Sequence, residues 1–197
     1  MTPRPRTVAL AALLLLAGSA ACSPHKQTTP PEPSVSVPPI PGAGLNVDRI
    51  KTDPCSALTL DQLHDLGFVG GHQQVESGTR CMTRFDDTTT VGVWVDGATL
   101  TTLYTERARG HSGGGNHFDP ITIDTYPAVI TYVADSPNST GTETDNCTIA
   151  LGARDDTLIN VDIHTGYSSS NPAGPWKRDA RGVAQKVTAL IVANLSN

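Results

Sequence analysis

The stretch Arg109-Gly110-His111-Ser112-Gly113-Gly114-Gly115-Asn116-His117-Phe118-Asp119 gathers the residue types that most often do chemistry. The imidazoles of His111 and His117 and the carboxylate of Asp119 could ligate a metal. Ser112 with a histidine and an aspartate could form a hydrolase triad. Neither pattern completes. The spacing matches no established ligand set, and three successive glycines position side chains poorly. No Gly-x-Ser-x-Gly elbow is present. The glycines are no phosphate loop either, because no strand precedes them and no Lys-Ser/Thr pair follows. Asp86-Asp87 and Asp155-Asp156 sit at turns, where aspartate is favoured for its backbone bonding, and no EF-hand pattern surrounds them. No catalytic residue, no metal ligand and no cofactor is assigned.

Cysteine chemistry is the stronger signal. Arg4 and Arg6 precede the apolar run Val8–Leu16, which suits an export signal and is too short to span a bilayer. The small residues Ala17-Gly18-Ser19-Ala20-Ala21 lead to Cys22. This is the layout of a bacterial lipoprotein precursor, in which the Cys22 thiol is diacylated and becomes the new N-terminus. Ser19 stands where such signals usually carry Leu. Ser19-Ala20-Ala21 also suits an ordinary signal peptidase, so simple secretion is the alternative, with an uncleaved anchor a third. Two or three acyl chains, at about 0.8 kcal/mol per buried methylene, hold a protein firmly. The expected location is the extracytoplasmic face of the cell membrane, reached through lipid on Cys22.

Three cysteines then remain, Cys55, Cys81 and Cys147. Export favours oxidation, so one bridge and one odd thiol follow. Cys55–Cys81 is the preferred pair, leaving Cys147 as a buried free thiol on a strand. Cys81–Cys147 and Cys55–Cys147 stay open. The spacing is not that of a zinc site.

The full chain carries 14 basic and 19 acidic residues. Loss of residues 1–21 takes away Arg4 and Arg6 and no acid, leaving a net charge of −7. With no basic cluster, nucleic acid is excluded as a partner. The acidic balance repels an anionic leaflet and favours a domain standing away from it. Residues 22–46 read as the lipidated cysteine and a tether, with seven prolines between Pro24 and Pro41. At about 3.1 Å per residue in polyproline II it would reach roughly 75 Å. Residues 47–197 are enough for one domain with a real core.

Within that domain, Thr59 and Gln62 form a capping box ahead of Leu60, Leu63 and Leu66, with Gly67 as the stop. Cys81–Phe85 and Val91–Val95 alternate as a hairpin. Trp94 faces away from the valine stripe, either packed under a helix or exposed to a partner or glycan. Leu100, Leu103, Tyr104 and Arg107 have helical spacing up to Gly110. Ile121–Ile123 and Val129–Val133 read as strands around Tyr126-Pro127. Cys147–Leu151 and Leu158–Ile163 form a second hairpin, turning at Arg154–Asp156. A last amphipathic helix starts near Asp179, with the stripe Ala180, Val183, Val187, Leu190, Ile191 and Leu195. Short connections between strands predict an α+β fold: a mostly antiparallel sheet with helices packed on one face.

Asp53-Pro54-Cys55-Ser56-Ala57-Leu58-Thr59 is followed by a leucine-rich helix. Arg80-Cys81 opens a hairpin, Leu103-Tyr104 and Tyr126-Pro127-Ala128-Val129 come next, and Cys147-Thr148-Ile149 precedes the second hairpin. In this order, behind the signal and the Pro-rich spacer, they resemble the actinobacterial envelope lipoproteins of the LprB/LprC type, a domain of unknown function. The resemblance covers nearly the whole chain and implies a cell-envelope lipoprotein with no assigned activity. Such proteins usually carry a further cysteine after a proline just before the last helix. Here Pro175 is followed by Trp176, so a second bridge is lost and Trp176 is expected to plug the gap.

The function these readings point to is a non-enzymatic module that binds an envelope protein, glycan or lipid. A carrier of a hydrophobic ligand is the alternative, and an exported hydrolase using the 111–119 loop a more remote one. Cells grown with labelled palmitate should label the wild-type chain and not Cys22→Ala, which should also leave the detergent phase on partitioning. A Cys22→Ala protein that kept both properties would sink the anchor.

Overall fold

The computed structural model describes residues 35–86, 88–111, 117–135, 144–165 and 179–196. These belong to the second of two units, which covers residues 33–197. The signal segment, Cys22, the first part of the tether, Ser112, Pro175 and Trp176 lie outside them.

Runs of Val and Ile at every second position favour strands, because branched side chains pack well on a pleated surface. Seven strands form one antiparallel sheet: β1 (His72–Ser77), β2 (Arg80–Arg84), β3 (Thr90–Asp96), β4 (Asp119–Ile123), β5 (Tyr126–Asp135), β6 (Thr144–Arg154) and β7 (Thr157–His164). Their order is β1-β2-β3-β7-β6-β5-β4. Two meanders, β1–β3 and β4–β7, therefore meet where β3 pairs with β7.

Alternation gives the sheet two unlike faces. Val91, Val93 and Val95 of β3, Ile159, Val161 and Ile163 of β7, and Cys147, Ile149 and Leu151 of β6 all point to the inner face and are buried. Helix α4 (Ala180–Leu195) lies across it. Its Val183, Val187 and Ile191 are completely buried in the same core. The Asp179 side chain starts the helix by accepting from the Gly182 N–H at 2.8 Å.

Three short elements close the end of this core: α1 (Asp48–Thr52), a 3₁₀ turn (Pro54–Ala57) and α2 (Leu60–Asp65). Both halves of the capping box between Thr59 and Gln62 are made. Gln62 also pairs its amide with that of Asn194 on α4, at 2.8 and 3.0 Å. Phe68 stacks on Phe85 with ring centroids 4.6 Å apart. The disulfide joins Cys55, in the 3₁₀ turn, to Cys81 on β2, closing a separation of 26 residues. Cys147 is free and buried.

Four features depart from the sequence reading. The tether is shorter than residues 22–46, because its last part is bound to the domain. Leu45 is buried, its N–H donates to the Ala153 carbonyl at 2.8 Å, and Asn46 donates to Leu195 at 3.0 Å. Gly44 turns the chain there with φ +77°, and a Cβ would strike the Ala153 backbone. Proline content signalled a spacer but could not show that Leu45 and Val47 have a core to enter.

The helices are not confined to one face. Helix α3 (Leu100–Ala108) sits on the outer face, where Leu100 packs with Val129, Ala150 and Leu158. Gly152 makes room for it, since a Cβ there would collide with Leu100 and Ile40. Helical spacing shows that a face is buried, not which side of the sheet buries it. Strand β1 also escaped notice: it is polar and exposed along most of its length, and it exists by pairing with β2. The turn of the β4–β5 hairpin is Asp124-Thr125, so Tyr126-Pro127 lies inside β5.

Ile191→Ala should cost about 2–5 kcal/mol in urea unfolding, the range for a fully buried large-to-small change. Replacing Cys55 and Cys81 together by Ala should cost about 3 kcal/mol, from the loop that the bridge closes.

Candidate functional site

Of the residues singled out in the 109–119 stretch, His111, His117 and Asp119 form no metal-holding group, and Ser112 lies outside the described residues. His111 lies against Glu106 of α3, Nδ1 to carboxylate oxygen at 2.6 Å, and Arg109 reaches the same carboxylate at 3.0 Å. The hydrogen bond from His111, then that from Arg109, holds the Glu106 carboxyl below its usual range. The His117 backbone N–H donates to the Thr131 carbonyl at 3.1 Å. Asp119 forms an ion pair with Arg181 of α4. Among the described residues no three His, Cys, Asp or Glu side chains are grouped to hold a metal ion.

Cys147 lies buried on β6 in the inner core. Burial pushes its thiol up to about 12; Arg181 opposes the shift, while Asp162 and Asp179 add to it. A thiol in that state carries almost no thiolate near neutrality, and the thiolate is the reactive form.

The outer face offers a different arrangement. Helix α3 follows the interior strand β3, precedes the edge strand β4 and covers part of this face. Beside it lies an open groove of about 420 Å³. The floor is apolar, with Leu103, Ala150 and Leu158. Trp94 from β3 and Tyr132 from β5 line it with aromatic surface. A bulge between Ile130 and Tyr132 shifts the register of β5, and Tyr132 pairs with Thr148 on β6. Tyr132 is 38% exposed.

The polar groups of the groove are held by one another. Asn160 donates to Asp96 at 2.7 Å, and Asp96 also accepts from the Ala98 N–H at 2.8 Å. Thr148 donates to Asp162 at 2.8 Å. Asn160 is 7% exposed, and its bond to Asp96 offsets the cost of burying an amide. Arg80 of β2 pairs opposite Trp94, and its guanidinium lies 4.7 Å from the ring centroid. Gly92 lies beside them: a Cβ there would be in ordinary contact with the guanidinium at 3.4 Å and slightly tight on Met82 at 3.3 Å.

The sequence pattern of a family described as proteins of unknown function, DUF3558, matches residues 17–194. The chain belongs to that family. The match takes in Cys22, Cys55, Cys81 and Cys147 together. No curated protein and no solved structure matches the chain. The DUF3558 pattern thus covers the described domain up to residue 194 and assigns it no activity.

Of the groove residues, the sequence drew attention only to Trp94, through its position opposite the valine stripe. Thr148 shares its face through the pairing of β6 with β7 and of β7 with β3, and Tyr132 through the β5 bulge and the pairing of β5 with β6, none of which shows in local spacing.

The buried thiol has a consequence for stability. The folded-state value lies above the ordinary value of 9.0, so the folded state holds its proton where the unfolded state releases it. The contribution is complete below pH 9 and disappears as pH rises toward about 12. Over that window the wild type should lose stability more steeply than Cys147→Ala, by up to about 1.4 kcal/mol per pH unit. Parallel slopes in denaturant titrations would show that the thiol titrates normally.

Proposed function

We propose that this DUF3558 protein is a lipid-anchored envelope protein of the LprB/LprC kind, on the extracytoplasmic face of the cell membrane, whose domain binds a partner without transforming it. The anchor rests on the Cys22 signal and the Pro-rich stretch behind it. Among the described residues no helix is long and apolar enough to cross a membrane. The observation that carries the binding reading is the half-covered outer face, where Trp94, Tyr132 and the Asp96–Asn160 pair line one groove. Concave sites with an apolar floor and a few fixed polar groups are the usual form of a binding site.

The absence of chemistry is inferred from the state of the reactive groups. His111 and Asp119 are each engaged with a charged neighbour, and the Cys147 thiol is buried and protonated. The partner comes from the envelope, whether protein, glycan or lipid. Nucleic acid is disfavoured by the net charge of −7 that remains after loss of residues 1–21.

A photo-crosslinking amino acid at Thr131, inside the groove, should trap adducts in intact cells. The same amino acid at Lys51, exposed on α1, should not. Equal yields at the two positions, or none at either, would remove the groove as the binding site.

A further inference from the structure

We propose that the outer-face groove is a glycan site: it takes a neutral oligosaccharide across Trp94 and Tyr132, with hydroxyl groups bonded by Asn160, Asp96 and Thr148. This rests on the reading of the groove as the binding site and adds the class of ligand.

Four observations lead there. The first is what the floor can offer. β3, β7, β6 and β5 each have a strand on both sides, so their backbone groups are used within the sheet. An extended peptide cannot add as a further strand here, and recognition falls to side chains.

The second is the composition of those side chains. Two aromatic residues and an apolar floor suit the C–H faces of sugar rings. The amide of Asn160 has a second N–H and a carbonyl oxygen beyond its bond to Asp96, and the Thr148 hydroxyl keeps its lone pairs. A sugar hydroxyl both donates and accepts, and such mixed groups match it. Their mutual bonds hold them in place before ligand arrives, which lowers the ordering cost of binding.

The third is reach. Trp94 on β3 and Tyr132 on β5 are separated by β7 and β6, three strand spacings or about 14 Å. They would touch different rings of a chain, not two faces of one ring. A groove of about 420 Å³ holds a few sugar units, and volumes of about 300–1,000 Å³ are usual for small ligands. A folded protein partner would need about 800 Å² of matching surface per side, spread beyond such a groove.

The fourth is charge. Asp96 lines the groove and Asp162 stands behind Thr148, while the nearby cation Arg80 is held against Trp94 and 3.8 Å from Glu76. This arrangement, on an acidic domain, repels sulfated or phosphorylated ligands and leaves uncharged sugars.

The test uses the full chain in detergent, titrated calorimetrically with manno-, gluco-, galacto- and arabino-hexaoses. A heparin hexasaccharide and phosphatidylglycerol vesicles serve as anionic probes. At least one neutral hexaose should bind, and Tyr132→Ala and Thr148→Val should each weaken it at least tenfold; neither change touches the inner core. Trp94→Ala should abolish binding, with circular dichroism confirming that this variant folds. Binding of the anionic probes alone, or of no probe, overturns the glycan assignment. Neutral binding that survives Tyr132→Ala and Thr148→Val overturns it too. Adducts at Thr131 that are protein or lipid, with no hexaose bound, remove the sugar and keep the groove. No adduct at Thr131 and no hexaose bound removes both.

Discussion

The whole domain depends on burying the inner face of one antiparallel sheet under helix α4. Both meanders contribute to that face through β3, β7, β6 and β5, and α4 is laid over it as one continuous apolar stripe. Fully burying a Val, Leu or Ile side chain is worth about 1.5–3 kcal/mol, so this layer dominates the stability. It also sets the strand register. A slip by one residue would turn Val91, Val93 and Val95 to solvent and Gly92 and Trp94 inward.

The remaining elements work by tying loose ends to that layer. Arg154, at the end of β6, donates to the Leu45 carbonyl at 2.9 Å and reaches Asp48 of α1 at 3.1 Å. The segment before α1 thereby becomes part of the domain, not part of the spacer. Asn194 of α4 bonds both the Ala57 carbonyl, at 2.9 Å, and Gln62. The Cys55–Cys81 bridge fastens the same corner to β2. Small polar and covalent contacts thus close the edge of a core that is apolar but for buried hydroxyls such as that of Thr188, which donates to the Ala184 carbonyl.

The outer face is a consequence of the route the chain takes. After β3 the chain must travel from the middle of the sheet to its far edge, and α3 makes that crossing. A helix of nine residues cannot cover the face, and what stays open is a groove with side chains chosen neither for a core nor for bulk solvent. Asn160, Asp96, Thr148 and Asp162 are paired with each other there, so they are fixed in position yet still reachable. His111 is engaged with Glu106 and Cys147 is buried in the inner core, while Trp94 and Tyr132 line the groove.

Much of this was written in local patterns. The capping box at Thr59–Gln62, the alternation in β3 and β7, the Asp179 cap and the stripe of α4 follow from the chemistry of neighbours a few residues apart. The Cys55–Cys81 pairing, across 26 residues, was preferred but left open by the sequence, and the fold makes it. The local patterns determined by themselves that the chain forms an α+β domain with one apolar sheet face. Contacts between distant residues decided the rest. Helix α3 went to the opposite face because Val129, Ala150 and Leu158 needed cover and Gly152 left the room. Leu45 joined the core because Ala153 offered it a backbone partner and Leu195 offered one to its neighbour Asn46. The groove exists because β3 and β5, far apart in sequence, are held three strands apart with Trp94 and Tyr132 on one side. Spacing along a chain encodes which residues share a face, and only the packed sheet settles which faces meet.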